Sequence, residues 1–297
     1  MPVTDTATSE PTSASSWLDA QGIWIALRLT LLGVLLAPIG EWSVRAPALL
    51  LAGAGLIHAG VLRSPVTWLT LALLGGWRVV ADWPMSDNHA YLLAYWFLAA
   101  MLALSGPLPR VDLARAARLL IGISFAFAVL WKSVLSVDYV DGRFFRHLLI
   151  TDDRFEEPAI HLGGMTSADL EAARALIETN RHVVDKPAPA TLETPALRTV
   201  ASFATWFTLL MELAVAVLFL LPAQFRTGRL RDFALMGFCA TTYMIAPVPG
   251  YGWLLLAMGI AQCPEAARPA RWAYLACFGL VLLHDHVPWF GVASWFQ

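Results

Sequence analysis

Apolar residues in this chain come in nearly unbroken runs rather than in alternating or narrow-stripe patterns. A helix crossing the hydrocarbon core needs roughly 17 to 25 predominantly apolar residues. Runs meeting or nearly meeting that length occupy residues 23–39, 46–62, 66–81, 90–104, 119–135, 202–221, 233–245, 253–263 and 272–283. The pattern predicts an all-α fold: a polytopic transmembrane helical bundle of about nine spans. The last pair but one flanks Pro247-Val248-Pro249-Gly250, where two prolines and a glycine break any continuous helix. A tight hairpin between two short spans fits this break. A re-entrant segment buried in protein is the competing reading and reduces the count to eight.

Between the runs, residues 1–20 are rich in Ser, Thr and Pro and read as a disordered tail. Helices 1–5 are expected in residues 21–135 and helices 6–9 in residues 201–297, with a long extracytoplasmic loop segment at 136–200. Within that segment Thr166-Ser167-Ala168-Asp169 precedes an Ala/Leu/Glu run to Thr179, so Thr166 or Ser167 is expected to cap one short helix. The remainder, ending in Lys186-Pro187-Ala188-Pro189, reads as loop. Lys and Arg in short loops are retained on the cytoplasmic side. One set of loops holds Arg63, then Arg110, Arg115 and Arg118, then Arg226, Arg229 and Arg231, then Arg268 and Arg271; the opposite set holds little beyond Arg45. This predicts a multi-pass protein of a bacterial-type plasma membrane, amino terminus cytoplasmic and carboxy terminus extracytoplasmic.

Composition agrees with the runs: 58% of the 297 residues are hydrophobic and 14% charged, against about a quarter charged in soluble domains. Lys and Arg total 20 against 22 acidic residues, a formal charge of -2, so the footprint of a nucleic-acid binder is missing. The expected partner is the lipid bilayer. Cys239, Cys263 and Cys277 lie in apolar runs at spacings that imply neither disulfide nor metal. No Gly-rich phosphate cradle and no Cys-x-x-Cys pair is visible, and no metal is predicted.

Ionisable residues inside a span cost about 2.5 to 3.5 kcal/mol on insertion scales, which makes each a functional candidate in need of a partner. Glu212 lies near the middle of the 202–221 run, on one helical face with Thr205 and Thr208. It is expected either to pair with a cation, Arg28 of the first span being the candidate, or to handle protons. Arg28 and Arg78 could equally reach the interface by snorkelling. Lys132, after Trp131, ends the 119–135 run; snorkelling explains a cation there. The chain uses eighteen Arg and only two Lys, however, and Lys, unlike Arg, can become a usable base when buried. His89 belongs to Asp87-Asn88-His89-Ala90-Tyr91-Leu92, where Asp87 or Asn88 can cap a helix and Tyr91 fits the interfacial aromatic belt. His284-Asp285-His286 reads as an interfacial loop, since residues two apart do not share a helical face.

The order of these features resembles the membrane core of vitamin K-dependent gamma-carboxylases and their bacterial horizontally transferred transmembrane (HTTM) relatives. The matching pieces are Ala26-Leu27-Arg28-Leu29 to Gly33, Asn88-His89-Ala90-Tyr91-Leu92, Lys132 followed by Asp138-Tyr139-Val140-Asp141-Gly142, the carboxylate Glu212, and Gly252-Trp253-Leu254-Leu255-Leu256-Ala257-Met258. The likeness covers most of residues 22–264. In those carboxylases a membrane lysine deprotonates a bound hydroquinone, oxygen chemistry turns it into a strong base, and a glutamate side chain loses a proton before adding carbon dioxide. By resemblance Lys132 is the base, His89 an electrostatic partner, and Asn88, Tyr91 and Trp131 quinone- or substrate-facing positions. A single Lys stands where the family pattern has a pair.

The resulting expectation is a pocket, open to the outer side, for a quinone or another amphipathic lipid, with redox or proton-abstraction chemistry. Two other classes remain. One is a noncatalytic membrane partner whose 136–200 segment docks another protein while Lys132 merely pairs with Asp138 or Asp141. The other is a small-solute transporter with Glu212 as coupling carboxylate.

Overall fold

The computed structural model describes residues 14–84, 87–180, 193–222, 225, 227–245, 248, 250–264 and 267–286. The secondary structure of these residues is helical, with no strand among them. In chain order the helices are α1 (Ala14–Leu36), α2 (Trp42–Ile57), α3 (Ala59–Arg63), α4 (Pro65–Ala81), α5 (Asn88–Ser105), α6 (Pro109–Leu130), α7 (Val137–Val140), α8 (Arg143–Thr151), α9 (Glu156–His161), α10 (Ser167–Asn180), α11 (Pro195–Leu220), α12 (Gly228–Ile245), α13 (Tyr251–Gln262) and α14 (Arg268–His286). A π-helical turn, Trp131–Leu135, prolongs α6, and a 3-10 turn, Asp153–Phe155, precedes α9.

Eight of the nine apolar runs fall on one helix each, α6 being taken with its π-helical turn, and the 46–62 run is broken at His58 into α2 and α3. Three helices are long and apolar enough to cross a membrane: Asn88–Ser105, Pro109–Leu135 and Pro195–Leu220. At 1.5 Å per residue the last spans about 39 Å, more than a hydrocarbon core of about 30 Å. Four further apolar helices are shorter: Gly22–Leu36, Trp42–Ile57, Pro65–Ala81 and Tyr251–Gln262.

Three expectations change. Helix α1 begins at Ala14, inside the stretch assigned to a tail; residues 1–13 lie outside the described residues. The 136–200 segment is not one helix in a loop. The capped helix is there as α10, but α7, α8 and α9 precede it, and Lys186-Pro187-Ala188-Pro189 lies outside the described residues. His284-Asp285-His286 ends α14 instead of forming a loop. The missed α7, α8 and α9 are short helices stabilised by packing, with too few apolar residues to stand out as runs, whereas α14 simply continues past the end of its apolar run.

The chain divides into two compact units, residues 1–120 with 249–297, and residues 121–248. In the first, α4 packs along α5, α1 along α2 and α13, and α13 along α14. Helix α13 is its core: every residue from Gly252 to Gln262 is buried, as a helix apolar all round requires. A Cβ at Gly259 would come within 2.4 Å of the Tyr274 ring, so only glycine permits that approach of α13 to α14. The Trp96 indole donates to the buried Thr30 hydroxyl at 2.9 Å, and the Trp68 indole to the Leu62 carbonyl at 2.8 Å, which satisfies both buried N–H groups.

In the second unit, α11 packs against α12, α8 and α7. Thr194 caps α11, accepting from the Leu197 N–H at 3.0 Å while its hydroxyl donates to the Gly163 carbonyl; Pro195 fills the first helical turn. The start of α11 completes a small apolar core with Leu149, Ile150, Phe155, Ala159, Met165, Leu170 and Ala173, to which it adds Leu197 and Ala201. Arg174 ties this assembly together, donating to the Ile150 carbonyl at 2.8 Å and to Glu156 at 3.0 Å.

Candidate functional site

Two helices of the second unit carry buried stripes with a charge, one within the stripe of α11 and one in the π-helical turn that prolongs α6. On α6 the stripe runs through Ile121 and Phe125, with Phe125 edge-on to Phe238 of α12 at 4.8 Å. Seven residues beyond Phe125, two helical turns, the same face reaches Lys132. On α11 the stripe is Leu197, Ala201, Thr205, Leu209, Glu212, Ala216 and Phe219, all buried. Both stripes face the protein interior, with Glu212 buried in one and Lys132 half-buried at the end of the other.

Lys132 and Glu212 meet. The ammonium donates to Glu212 Oε1 at 2.5 Å, with 24% of the lysine side chain and 7% of the glutamate side chain exposed. The partner of Glu212 is therefore Lys132 and not Arg28. Arg28 is half-buried on α1 in the other unit, with no hydrogen bond or ion pair among the described residues. Nor does Lys132 pair with Asp138 or Asp141: both carboxylates bind Arg143, at 2.8 and 2.6 Å. The reason is position, since Arg143 shares their exposed surface whereas Lys132 continues an interior stripe.

The turn that presents Lys132 is π-helical, a geometry that leaves part of the backbone ladder re-registered and is frequent at functional sites. The chain then turns through Ser136 into α7, which places the Tyr139 ring 4.9 Å from the Lys132 ammonium. Tyr139 is buried and packs between Phe144 and Phe145, ring centres 5.2 and 5.7 Å away. Burial foremost, and then the charge of Glu212, push its phenol above the ordinary tyrosine value, against a smaller opposing effect of a hydrogen bond with Thr208. Tyr139 therefore remains a protonated hydroxyl beside the pair. Sequence reasoning placed Tyr139 in a motif without giving it a role; its spacing of seven from Lys132 was the available signal.

Glu212 Oε2 is buried and has no hydrogen-bond partner among the described residues. A buried carboxylate oxygen left without a donor costs of the order of 1 to 3 kcal/mol or more, so the group is poised to gain one. Alongside runs an apolar groove of about 480 Å³ between α6 and α11, lined by Ala126, Val129 and Ser133 on one side and Leu213, Ala216 and Val217 on the other. Ser133 and Leu213 are the chain neighbours of Lys132 and Glu212. At Leu220, which also lines the groove, the helices touch: a Cβ at Gly122 would lie 2.8 Å from its side chain.

The remaining sequence candidates stand elsewhere. Trp131 is exposed, 62%. In the first unit Asp87 caps α5, accepting from the Ala90 N–H at 2.7 Å; Asn88 is exposed and Tyr91 half-buried. His89 stacks on Tyr251 of α13, ring centres 4.1 Å apart. Both line a small cavity with Arg78, which sequence reasoning had assigned to snorkelling. No group of three or more His, Cys, Asp or Glu side chains suited to a metal occurs among the described residues.

The class this fold and site define is a protein whose secondary structure is helical throughout its described residues, with three helices long and apolar enough to cross a membrane and a part-buried Lys–Glu pair. Comparison with family models, with curated proteins and with solved structures gave no match.

Proposed function

We propose that this is a multi-pass membrane protein of about nine crossings, of the HTTM and vitamin K-dependent carboxylase-like class. In this reading the Lys132–Glu212–Tyr139 site receives a lipid-soluble compound with an acidic hydroxyl, a hydroquinone being the representative, and removes its proton. The observation that carries this is the unpartnered, buried Glu212 Oε2 held beside an ammonium, with the chain neighbours of both residues, Leu213 and Ser133, lining an apolar groove.

The residues fit such a ligand. The groove offers an apolar wall for a ring and tail, and the pair offers an acceptor and a fixed cation. A hydroquinone, when bound, supplies a hydroxyl acidic enough to ionise next to a cation. Glu212 Oε2 accepts that proton and becomes a neutral carboxylic acid. Lys132 stays protonated and holds the negative charge left on the ligand oxygen, so the site's net charge is conserved. Tyr139, kept as a phenol, donates a hydrogen bond to the same oxygen or to Glu212. This shifts the base role expected for Lys132 onto Glu212, because an ammonium already donating to a carboxylate at 2.5 Å is an anion stabiliser.

The second reading is structural, and the same ion pair favours it: Lys132 and Glu212 neutralise each other and fasten α6 to α11 in a noncatalytic membrane scaffold. Exchange of the two residues, Lys132→Glu with Glu212→Lys, separates the readings. The scaffold tolerates the exchange in stability and binds no hydroquinone in either form. The proton-transfer site keeps its stability but loses hydroquinone binding, because acceptor and cation have traded places against the groove and Tyr139.

A further inference from the structure

We propose that the cavity in the first unit, walled by α1, α4, α5 and α13, is a binding site for a phosphate group. The cavity measures about 70 Å³. A buried water needs roughly 10 to 15 Å³ on this measure, so the space takes a group of a few heavy atoms and is too small for a drug-sized ligand, which needs about 300 Å³ or more. Arg78 of α4, His89 of α5 and Tyr251 of α13 line it, each able to donate hydrogen bonds and each from a different helix, while the hydroxyl of a fourth lining residue, Thr30, already donates to the Ala26 carbonyl. The rest of the wall is largely apolar, including Leu29, Val34 and Ile39, and no carboxylate is among the lining residues. Donors in a low-dielectric wall bind an anion more strongly than they would in water.

Two acids outside the cavity lining lie near Arg78 and His89. Arg78 Nε lies 3.4 Å from Asp82 and its Nη2 3.6 Å from Asp87, while His89 Nδ1 lies 3.9 Å from Asp87. Charge-assisted hydrogen bonds run about 2.7 to 2.9 Å, so these longer contacts orient Arg78 and His89 without saturating the guanidinium. Both side chains remain reachable, at 24% and 34% exposed. Donors converging from three helices suit a tetrahedral oxyanion, which offers an acceptor in each direction, better than a planar carboxylate. The site needs no Gly-rich loop, because it is assembled from separated helices, and a contiguous motif could not reveal it. The phosphate can belong to a lipid headgroup whose chains stay outside, or be free in solution.

Gly33 provides the discriminating variant. It lines the cavity, and a Cβ built on it meets nothing within 4 Å. Gly33→Leu therefore fills the space without touching a charge, and replacing a mid-helix glycine favours the helix. The purified full chain in nanodiscs is titrated with phosphatidic acid and with diacylglycerol of the same chains, read by native mass spectrometry; inorganic phosphate is titrated separately by calorimetry. The expected result is preference for phosphatidic acid, lost about tenfold or more in both Gly33→Leu and Arg78→Gln, the scale of one charge-assisted hydrogen bond. Inorganic phosphate binding that shows the same two losses identifies free phosphate as sufficient; response to the lipid alone identifies a headgroup site. Equal retention of the two lipids with no binding of inorganic phosphate overturns the proposal, as does Gly33→Leu binding like the parent protein.

Discussion

At the scale of single residues, the energetics turn on a pair of charges removed from water. Deleting one member of a buried pair strands the other, at about 3 to 5 kcal/mol, whereas deleting both removes the desolvation burden along with the attraction. Lys132→Ala and Glu212→Ala are thus each expected to lower thermal stability sharply, and the double variant to be more stable than the sum of the two losses implies. Additive losses in that double-mutant cycle, read by thermal unfolding in detergent, would mean that the 2.5 Å contact does not operate. Asp152 supplies a test in pH. Its carboxyl is hydrogen-bonded by the Arg154 guanidinium foremost, despite an opposing effect of burial, and ionises below the ordinary Asp range. The stability this contributes is complete above the unfolded value of about 3.9 and is lost as pH falls through the lower folded value. The Tm difference between parent and Asp152→Asn should accordingly shrink as the solution is acidified; a constant difference would show that the pair does not titrate.

At the scale of helices, the face of Glu212 was legible in the chain before any coordinate. Thr205 and Thr208 precede Glu212 by seven and four residues, which sets the carboxylate on a face already marked by small residues, whereas Lys132 at the end of its run was open to snorkelling. What could not be read was which two stripes meet. Hydrophobicity states that a face is buried but does not name its partner, so Arg28 was as good a candidate for Glu212 as Lys132. The π-helical turn was hidden for a related reason: no Pro or Gly marks Trp131–Leu135, and only packing re-registers it. Caps were easier. Asp87 accepts from the Ala90 N–H as its position before an apolar run suggested. Asp87→Ala should cost about 1 kcal/mol of stability, measured by denaturation of the detergent-solubilised protein; no loss would show that Asn88 substitutes as cap. The helices α8 and α9 lay beyond such signals because their stability comes from the core they share with α10 and α11. Leu197→Ala, at the α11 side of that core, should cost about 2 to 5 kcal/mol and raise the rate of proteolysis between residues 143 and 180.

At the scale of the whole molecule, every apolar run is helical, the 46–62 run divided at His58 into α2 and α3, and three helices are long enough to cross a bilayer by length and composition. The shorter ones illustrate why run length alone cannot fix a span count: α13 is apolar because protein surrounds it on every side, and burial in protein selects the same residues as burial in lipid. An odd number of crossings separates the termini. Reporter fusions at residues 1 and 297 should report opposite sides, with the amino-terminal reporter cytoplasmic, as the Arg-rich loops direct; reporters on the same side would remove the nine-span topology. The central proposal, proton removal from a lipid-soluble hydroxyl at the Lys132–Glu212 pair, is tested most directly by the absorbance spectrum of a reduced short-chain hydroquinone titrated into the purified protein. The account predicts saturable binding with the spectrum of the ionised compound at neutral pH, lost in Glu212→Gln although the protein stays folded. Binding with an unshifted neutral spectrum, or an ionised spectrum that persists in Glu212→Gln, would contradict it.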